Sequence, residues 1–175
     1  MIETYQQCLQ VSVHVVTIRR EGYSPCYCVW LSDPAYRGFL EDVGLTPAKT
    51  KDRTLGPLKI PDEFFRDFFR GVVDGDGTIR IRTDKRRPNS RHLEVSVPSV
   101  CRPFLVWIRD TTTRLAATEG AIYRRPWLFV LMFTGSKASR LLSWLYYAPD
   151  LPCLQRKRVV WEAYIQQLAS SKRRF

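Results

Sequence analysis

Apolar side chains at 64, 65, 68, 69, 72 and 73 recur every three to four residues, and this spacing predicts a helix over "PDEFFRDFFRGVV" with one broad buried face. The pattern then changes at once. After "DGDG" the chain alternates, with Ile79 and Ile81 on one side and Thr78, Arg80 and Arg82 on the other, the period of a half-buried strand. "RHLEVSVP" returns in the same period, Leu93, Val95 and Val97 inward and His92, Glu94 and Ser96 outward. The two runs predict a hairpin around the loop "DKRRPNS". "CRPFLVWIRDTTTRLA" reads as a helix, "GAIYRR" and "WLFVLMF" as a second hairpin, and "SKASRLLSWLYY" and "LQRKRVVWEAYIQQLAS" as two further helices. From Pro61 the predicted order is helix, strand, strand, helix, strand, strand, helix, helix.

Upstream, residues 8–20 and 26–32 read as strands, rich in β-branched and aromatic side chains around a "GYSP" turn. "DPAYRGFLEDVGL" predicts a short helix with Asp33 as cap, Pro34 in the first turn and Gly44 near the end. The connector "TPAKTKDRTLGPLKIP" is polar and carries three prolines. It divides residues 1–57 from 58–170 and leaves 171–175 as a basic tail. A weak internal repeat links the halves: "VTIRREGYSPCYCVWLSDPAYRGFL" resembles "GAIYRRPWLFVLMFTGSKASRLL". The first half thus repeats the back end of the second half's unit, without the helix bearing DGDG and without the first hairpin.

Charge narrows the class of partner. Lys and Arg number 28 against 17 Asp and Glu, a formal net charge of +11, which points to an anionic partner, nucleic acid first. A basic protein of ribosomal type is the plainer alternative. No apolar run approaches the roughly 18 residues of a membrane span, so no membrane partner is expected. "MIETYQQCLQ" lacks the basic start and apolar stretch of a signal peptide. The five cysteines are odd in number and scattered, as reduced thiols are. Both features predict a cytoplasmic, nucleoid-associated or organellar protein rather than a secreted one. Cys26 and Cys28 lack the two further ligands of a zinc site, and His14 and His92 have no metal-like spacing.

The candidate chemistry lies where the helix meets the first hairpin. Gly71 inside a helix costs about 1 kcal/mol against Ala, so a packing reason is expected. Gly75 falls four residues later on the same face, and the pair would let a second helix backbone approach closely. Asp74 and Asp76 crowd the helix C-terminus, which is already the negative end of the dipole. A cation would offset them, and Mg²⁺ takes one or two carboxylates together with substrate phosphate. A calcium loop does not fit, since its turn-glycine position holds Ile79 and its bidentate acid position Lys85. Arg80, Arg82, Lys85, Arg86, Arg87 and Arg91 crowd the hairpin, and a two-stranded ribbon fits the major groove. A metal-binding acid beside a basic ribbon suits metal-assisted phosphodiester cleavage.

"FRGVVDGDG", residues 69–77, resembles the signature of the LAGLIDADG homing endonucleases at its Gly, both Asp and its final Gly. "LQRK", residues 154–157, resembles the family's Leu-x-Arg-Lys segment at the start of a late helix, and "LEDVGLTPAKT" the end of a first repeat. The resemblance implies an α+β fold: an αββαββα unit with an antiparallel, saddle-shaped sheet, here preceded by a partial ββα repeat. It implies a site-specific endonuclease that hydrolyses double-stranded DNA with Mg²⁺ or Mn²⁺. Asp76 would bind the metal, Gly75 would add its carbonyl, and Lys157 would act near the scissile phosphate. Gly71, Asp74, Gly75 and Gly77 would form the motif and its interface. Thr78, Arg80, Arg82, Lys85, Arg86, Arg87, Arg91, Glu94, Ser96, Arg124 and Arg125 would face DNA. A water-organising polar group is expected between Val97 and Ser99, where Ser99 alone qualifies.

The chain carries one motif, whereas cutting both strands takes two acids. Three readings follow: a remnant of a two-motif enzyme, inactive or able only to bind, a homodimer formed through the 63–75 helix, or a separate second unit. The alternative function is a cleavage-inactive DNA-binding protein or RNA-splicing maturase on the same fold.

Overall fold

Two compact units make up the chain, Met1–Leu40 and Glu41–Phe175. The structure, a computed structural model, describes residues 14–47, 54–84 and 87–172, the side chains of 84, 87–90 and 171–172 excepted. The start of the first predicted strand, Lys85, Arg86 and the end of the basic tail lie outside the described residues.

In the first unit β1 (His14–Ile18) and β2 (Cys26–Trp30) pair antiparallel, His14 opposite Trp30 and Ile18 opposite Cys26. Helix α1 (Pro34–Asp42) follows, its last two residues falling beyond the boundary at Leu40. Its cap is the predicted one: the Asp33 carboxylate accepts the amides of Ala35 at 2.8 Å and Tyr36 at 3.1 Å. Gly44 ends the run with φ of +97°, a conformation that favours glycine.

The second unit runs α2 (Asp62–Gly75), β3 (Thr78–Asp84), β4 (Arg87–Ser99), α3 (Arg102–Ala116), β5 (Ala121–Arg124), β6 (Phe129–Thr134), α4 (Ser136–Leu145) and α5 (Gln155–Lys172). The predicted order holds element by element, and the fold is α+β with a four-stranded antiparallel sheet in the order β3-β4-β6-β5. In the first hairpin the regular pairing ends with Thr83 opposite Arg91, which brackets the predicted loop "DKRRPNS" at residues 84–90. Beyond a shift in register, Asp84 pairs once more with Arg87, so β3 is extended to Asp84 and β4 starts at Arg87.

One sheet face carries the core. Ile79, Leu93, Val95, Val97, Leu131 and Phe133 pack against Phe65, Phe69 and Val73 of α2 and against Leu105, Ile108, Leu141 and Leu142 of α3 and α4. Trp161 and Tyr164 bring α5 into the same core, beside β3. Among the described residues of the unit, the opposite face of α2 is covered only in part. Phe64 is 59% exposed, Phe68 and Val72 are half-buried, and a Cβ built on Gly71 or Gly75 meets no atom within 4 Å.

Candidate active site

Helix α2 ends through a tight set of backbone contacts. The Val72 carbonyl accepts the amides of Asp76 at 3.0 Å and Gly77 at 3.2 Å. Gly77 then passes so close to its own helix that a Cβ would lie 2.7 Å from the Val73 oxygen and 2.9 Å from its Cα. Only glycine lets β3 begin at that point. The last carbonyls of a helix have no amide of their own helix to meet. Here α5 supplies a cation instead: the Lys157 ammonium donates to the carbonyls of Val73 at 2.7 Å, Asp74 at 2.6 Å and Gly77 at 2.5 Å. All three of its protons are used, and the residue is only 6% exposed. Burial and the neighbouring Arg156 draw the lysine below its ordinary value, while Asp74 and Asp76 act in the other direction. Lys157 thus lies at the predicted corner, but its ammonium points into the helix end.

The two motif acids have different surroundings. Asp74 is buried and turned inward, where the Tyr146 hydroxyl donates to Oδ1 at 2.8 Å and the Leu154 amide to Oδ2 at 2.8 Å. Burial, then this bond, push the Tyr146 hydroxyl far above its ordinary value. Arg70, one helical turn earlier, donates to the carbonyls of Pro152 at 3.1 Å and Leu145 at 3.3 Å. Together Arg70 and Asp74 fasten the connection between α4 and α5 to α2. Asp74 is therefore an internal tie that holds the end of α2 to the connection between α4 and α5.

Asp76 is exposed, and among the described residues nothing hydrogen-bonds or ion-pairs with its carboxylate. It opens on a cleft of about 280 Å³ that it shares with Val72, Val97, Ser99, Phe104 and Leu128. Val97 is a buried core residue. Ser99 Oγ accepts the Cys101 amide at 3.1 Å and keeps its own proton to donate. Asp76 fits a hard divalent cation as one ligand of several. No group of three His, Cys, Asp or Glu side chains able to hold a metal forms among the described residues. A complete site needs oxygen ligands from elsewhere.

The sheet face away from the core begins at this corner. Thr78 lies opposite Ser96, Arg80 opposite Glu94 and Arg82 opposite His92. Glu94 is 3% exposed, sealed beneath the two arginines. Its Oε1 accepts Arg80 Nε at 2.7 Å, and its Oε2 accepts Arg82 Nη1 at 3.3 Å. Glu94 therefore orients its neighbours rather than meeting a ligand itself. Across β6 and β5 the same face continues with Thr134, Met132 and Tyr123. Arg91 does not belong to it. Paired with Thr83, it has the parity of Leu93 and donates to Gln167 Oε1 of α5 at 2.9 Å. Arg124 has the parity of Phe129, and Arg125 stands in the turn beyond. Arg87 is described by its backbone alone, opposite Asp84.

Three residues here escaped the sequence reading. Arg70 and Tyr146 were hidden among apolar helix positions, although Arg70 and Asp74 lie four apart on one face, a readable signal. Trp127 read as the start of the returning strand of the second hairpin, whereas it stands at the tip before β6 begins at Phe129.

No protein-family model matches the chain, and no curated protein matches it. Among solved structures the chain is similar to the homing endonuclease I-CvuI in complex with the I-CreI target in the presence of Mg, at 18% identity and a TM-score of 0.46, over 60% of this chain and 66% of that one. The chain thus spans just under two thirds of that protein's length. I-CvuI in complex with its Sro1.3 target in the presence of Ca gives 18% and 0.46, over 63% and 71%. The archaeal intron-encoded homing endonuclease I-Vdi141I complexed with DNA gives 14% and 0.39, over 50% and 57%.

Proposed function

We propose that residues 41–175 form one half of a metal-dependent DNA endonuclease of the homing type, completed when the open face of α2 meets a second such helix. The observation that carries this reading is the Asp76 carboxylate. Among the described residues it has no partner, and it lies where the open helix face, the cleft and the arginine-bearing sheet face meet. A second helix crossing at Gly71 and Gly75 would bring a second acid to the same corner and supply the missing ligands. Mg²⁺ or Mn²⁺ held there would act as a Lewis acid toward a phosphodiester and lower the pKa of its bound water. Arg80 and Arg82, fixed by Glu94, would meet base edges or phosphates of double-stranded DNA. Lys157 would act by holding the helix end, and so the Asp76 backbone, in place.

The second reading is a protein on the same fold that binds DNA, or assists RNA splicing, without cutting. The saturation of Lys157 by three carbonyls favours it, as does the lack of a second acid beside Asp76 among the described residues. One experiment separates them. Incubate the purified chain with Mg²⁺ and DNA carrying the uninterrupted insertion site of its host gene, beside the Asp76→Asn variant. Cutting or nicking that the variant loses, with binding in Ca²⁺ retained, supports the enzyme. Binding without any cut supports the second reading, and the absence of binding refutes both. The assembly is read by sedimentation on DNA, where a strictly monomeric complex would refute the paired-helix half of the proposal.

A further inference from the structure

The tip of the second hairpin is built unlike the rest of the sheet. The Arg125 amide donates to the Leu128 carbonyl at 2.8 Å, which leaves Pro126 and Trp127 alone at the turn. Trp127 is 83% exposed, the most exposed large apolar side chain among the described residues. An indole in that position adds nothing to the core, and proline beside it restricts the turn. Arg124 and Arg125 precede it in the hairpin, both exposed and neither paired with a described residue. They contrast with Arg80 and Arg82, whose guanidinium groups are shared with Glu94. Tyr123, 46% exposed, stands on the outward sheet face next to them. The location is specific as well. Leu128, the next residue along the chain, lines the cleft that holds Asp76.

Unpaired guanidinium groups beside an exposed ring are the combination that binds nucleic acid through phosphates and stacked bases. Apolar side chains also wedge between base steps and open them. We propose that Trp127 is a base-contacting residue: it wedges against a nucleobase of the strand addressed by Asp76, while Arg124 and Arg125 hold the flanking phosphates. This rests on the reading of the unit as DNA-binding, and it adds a device that opens the duplex at the acid corner.

The test uses the full chain, Ca²⁺ to prevent cutting, and mixed-sequence duplexes with 2-aminopurine at successive positions. Stacking tolerates any base, so no target sequence is needed. Trp127→Ala is expected to weaken binding about 5- to 150-fold. It should leave the salt dependence unchanged and abolish the rise in 2-aminopurine fluorescence. Trp127→Phe should restore most of both. Arg124→Ala and Arg125→Ala should each lower the salt slope by about 1. Truncating so exposed a side chain should leave the melting temperature as it was. Wild-type affinity and fluorescence in Trp127→Ala would overturn the proposal, as would a Phe variant no better than Ala. Lost self-association with unchanged DNA affinity would overturn it too, by assigning the ring to a protein contact. If the wild-type chain binds no duplex at any salt, the DNA-binding reading itself fails.

Discussion

Lys157→Met removes the cation from the end of α2 and keeps most of the side-chain volume. Three carbonyls, of Val73, Asp74 and Gly77, lose their donor together. A hydrogen bond to a charged group contributes about 1.5–3 kcal/mol net, but the three share one ammonium and do not add. Water can also re-enter, because a cleft of about 340 Å³ lined by Gly77, Thr78 and Val160 adjoins the site. The favourable charge–dipole term disappears as well. A net loss of about 3 kcal/mol is expected. With a urea slope of about 2 kcal/mol per molar, the midpoint should fall by about 1.5 M. Lys157→Arg should recover only part of this, since a planar guanidinium cannot converge on three carbonyls as an ammonium does. The assay is urea unfolding followed by circular dichroism and by tryptophan fluorescence, with coincident transitions. A loss below about 0.5 kcal/mol in Lys157→Met would refute the account of this lysine as the pin of the motif helix.

Tyr146→Phe should cost about 1–3 kcal/mol by leaving Asp74 Oδ1 without its buried donor. Its pH dependence follows from the raised hydroxyl value: the stabilisation is full below the unfolded value of 10.0 and is lost as pH rises above it. Wild type should therefore weaken more steeply than the variant between about pH 10 and 12, and parallel curves would count against the bond. Gly77→Ala should lower the unfolding free energy by about 1–3 kcal/mol, because its Cβ would collide with the Val73 backbone. Gly71→Ala should do the reverse in the isolated chain and stabilise it by about 1 kcal/mol, since its Cβ meets open space. Equal effects from the two alanines would show that the open face is not open.

The helices and the two hairpins were legible because their apolar periods were unbroken, as in α2 and in the Ile79–Ile81 and Leu93–Val97 runs. Asp76 was legible because two carboxylates at a helix C-terminus demand a reason. Which acid would be free was not legible. That depends on Tyr146 and Leu154, more than 70 residues away in the chain, reaching Asp74 and not Asp76. Arg80 and Arg82 were readable as outward-facing, but their shared carboxylate appears only once the register sets Arg80 against Glu94. Arg91 shows how a composition count misleads. It belongs to the basic cluster by sequence, yet a one-residue parity turns it toward α5.

The placement of α5 beside β3 has a consequence for how copies of this unit can join. An open sheet invites another strand to pair along its free edge, which leads to aggregation as readily as to assembly. Here the β3 edge is flanked by α5, and the opposite edge, β5, is only four residues long. Neither side offers a long unpaired ladder. Strand addition would find little to pair with at either edge, so a second unit that met this one along α2, as proposed, would leave the arginine-bearing sheet face clear.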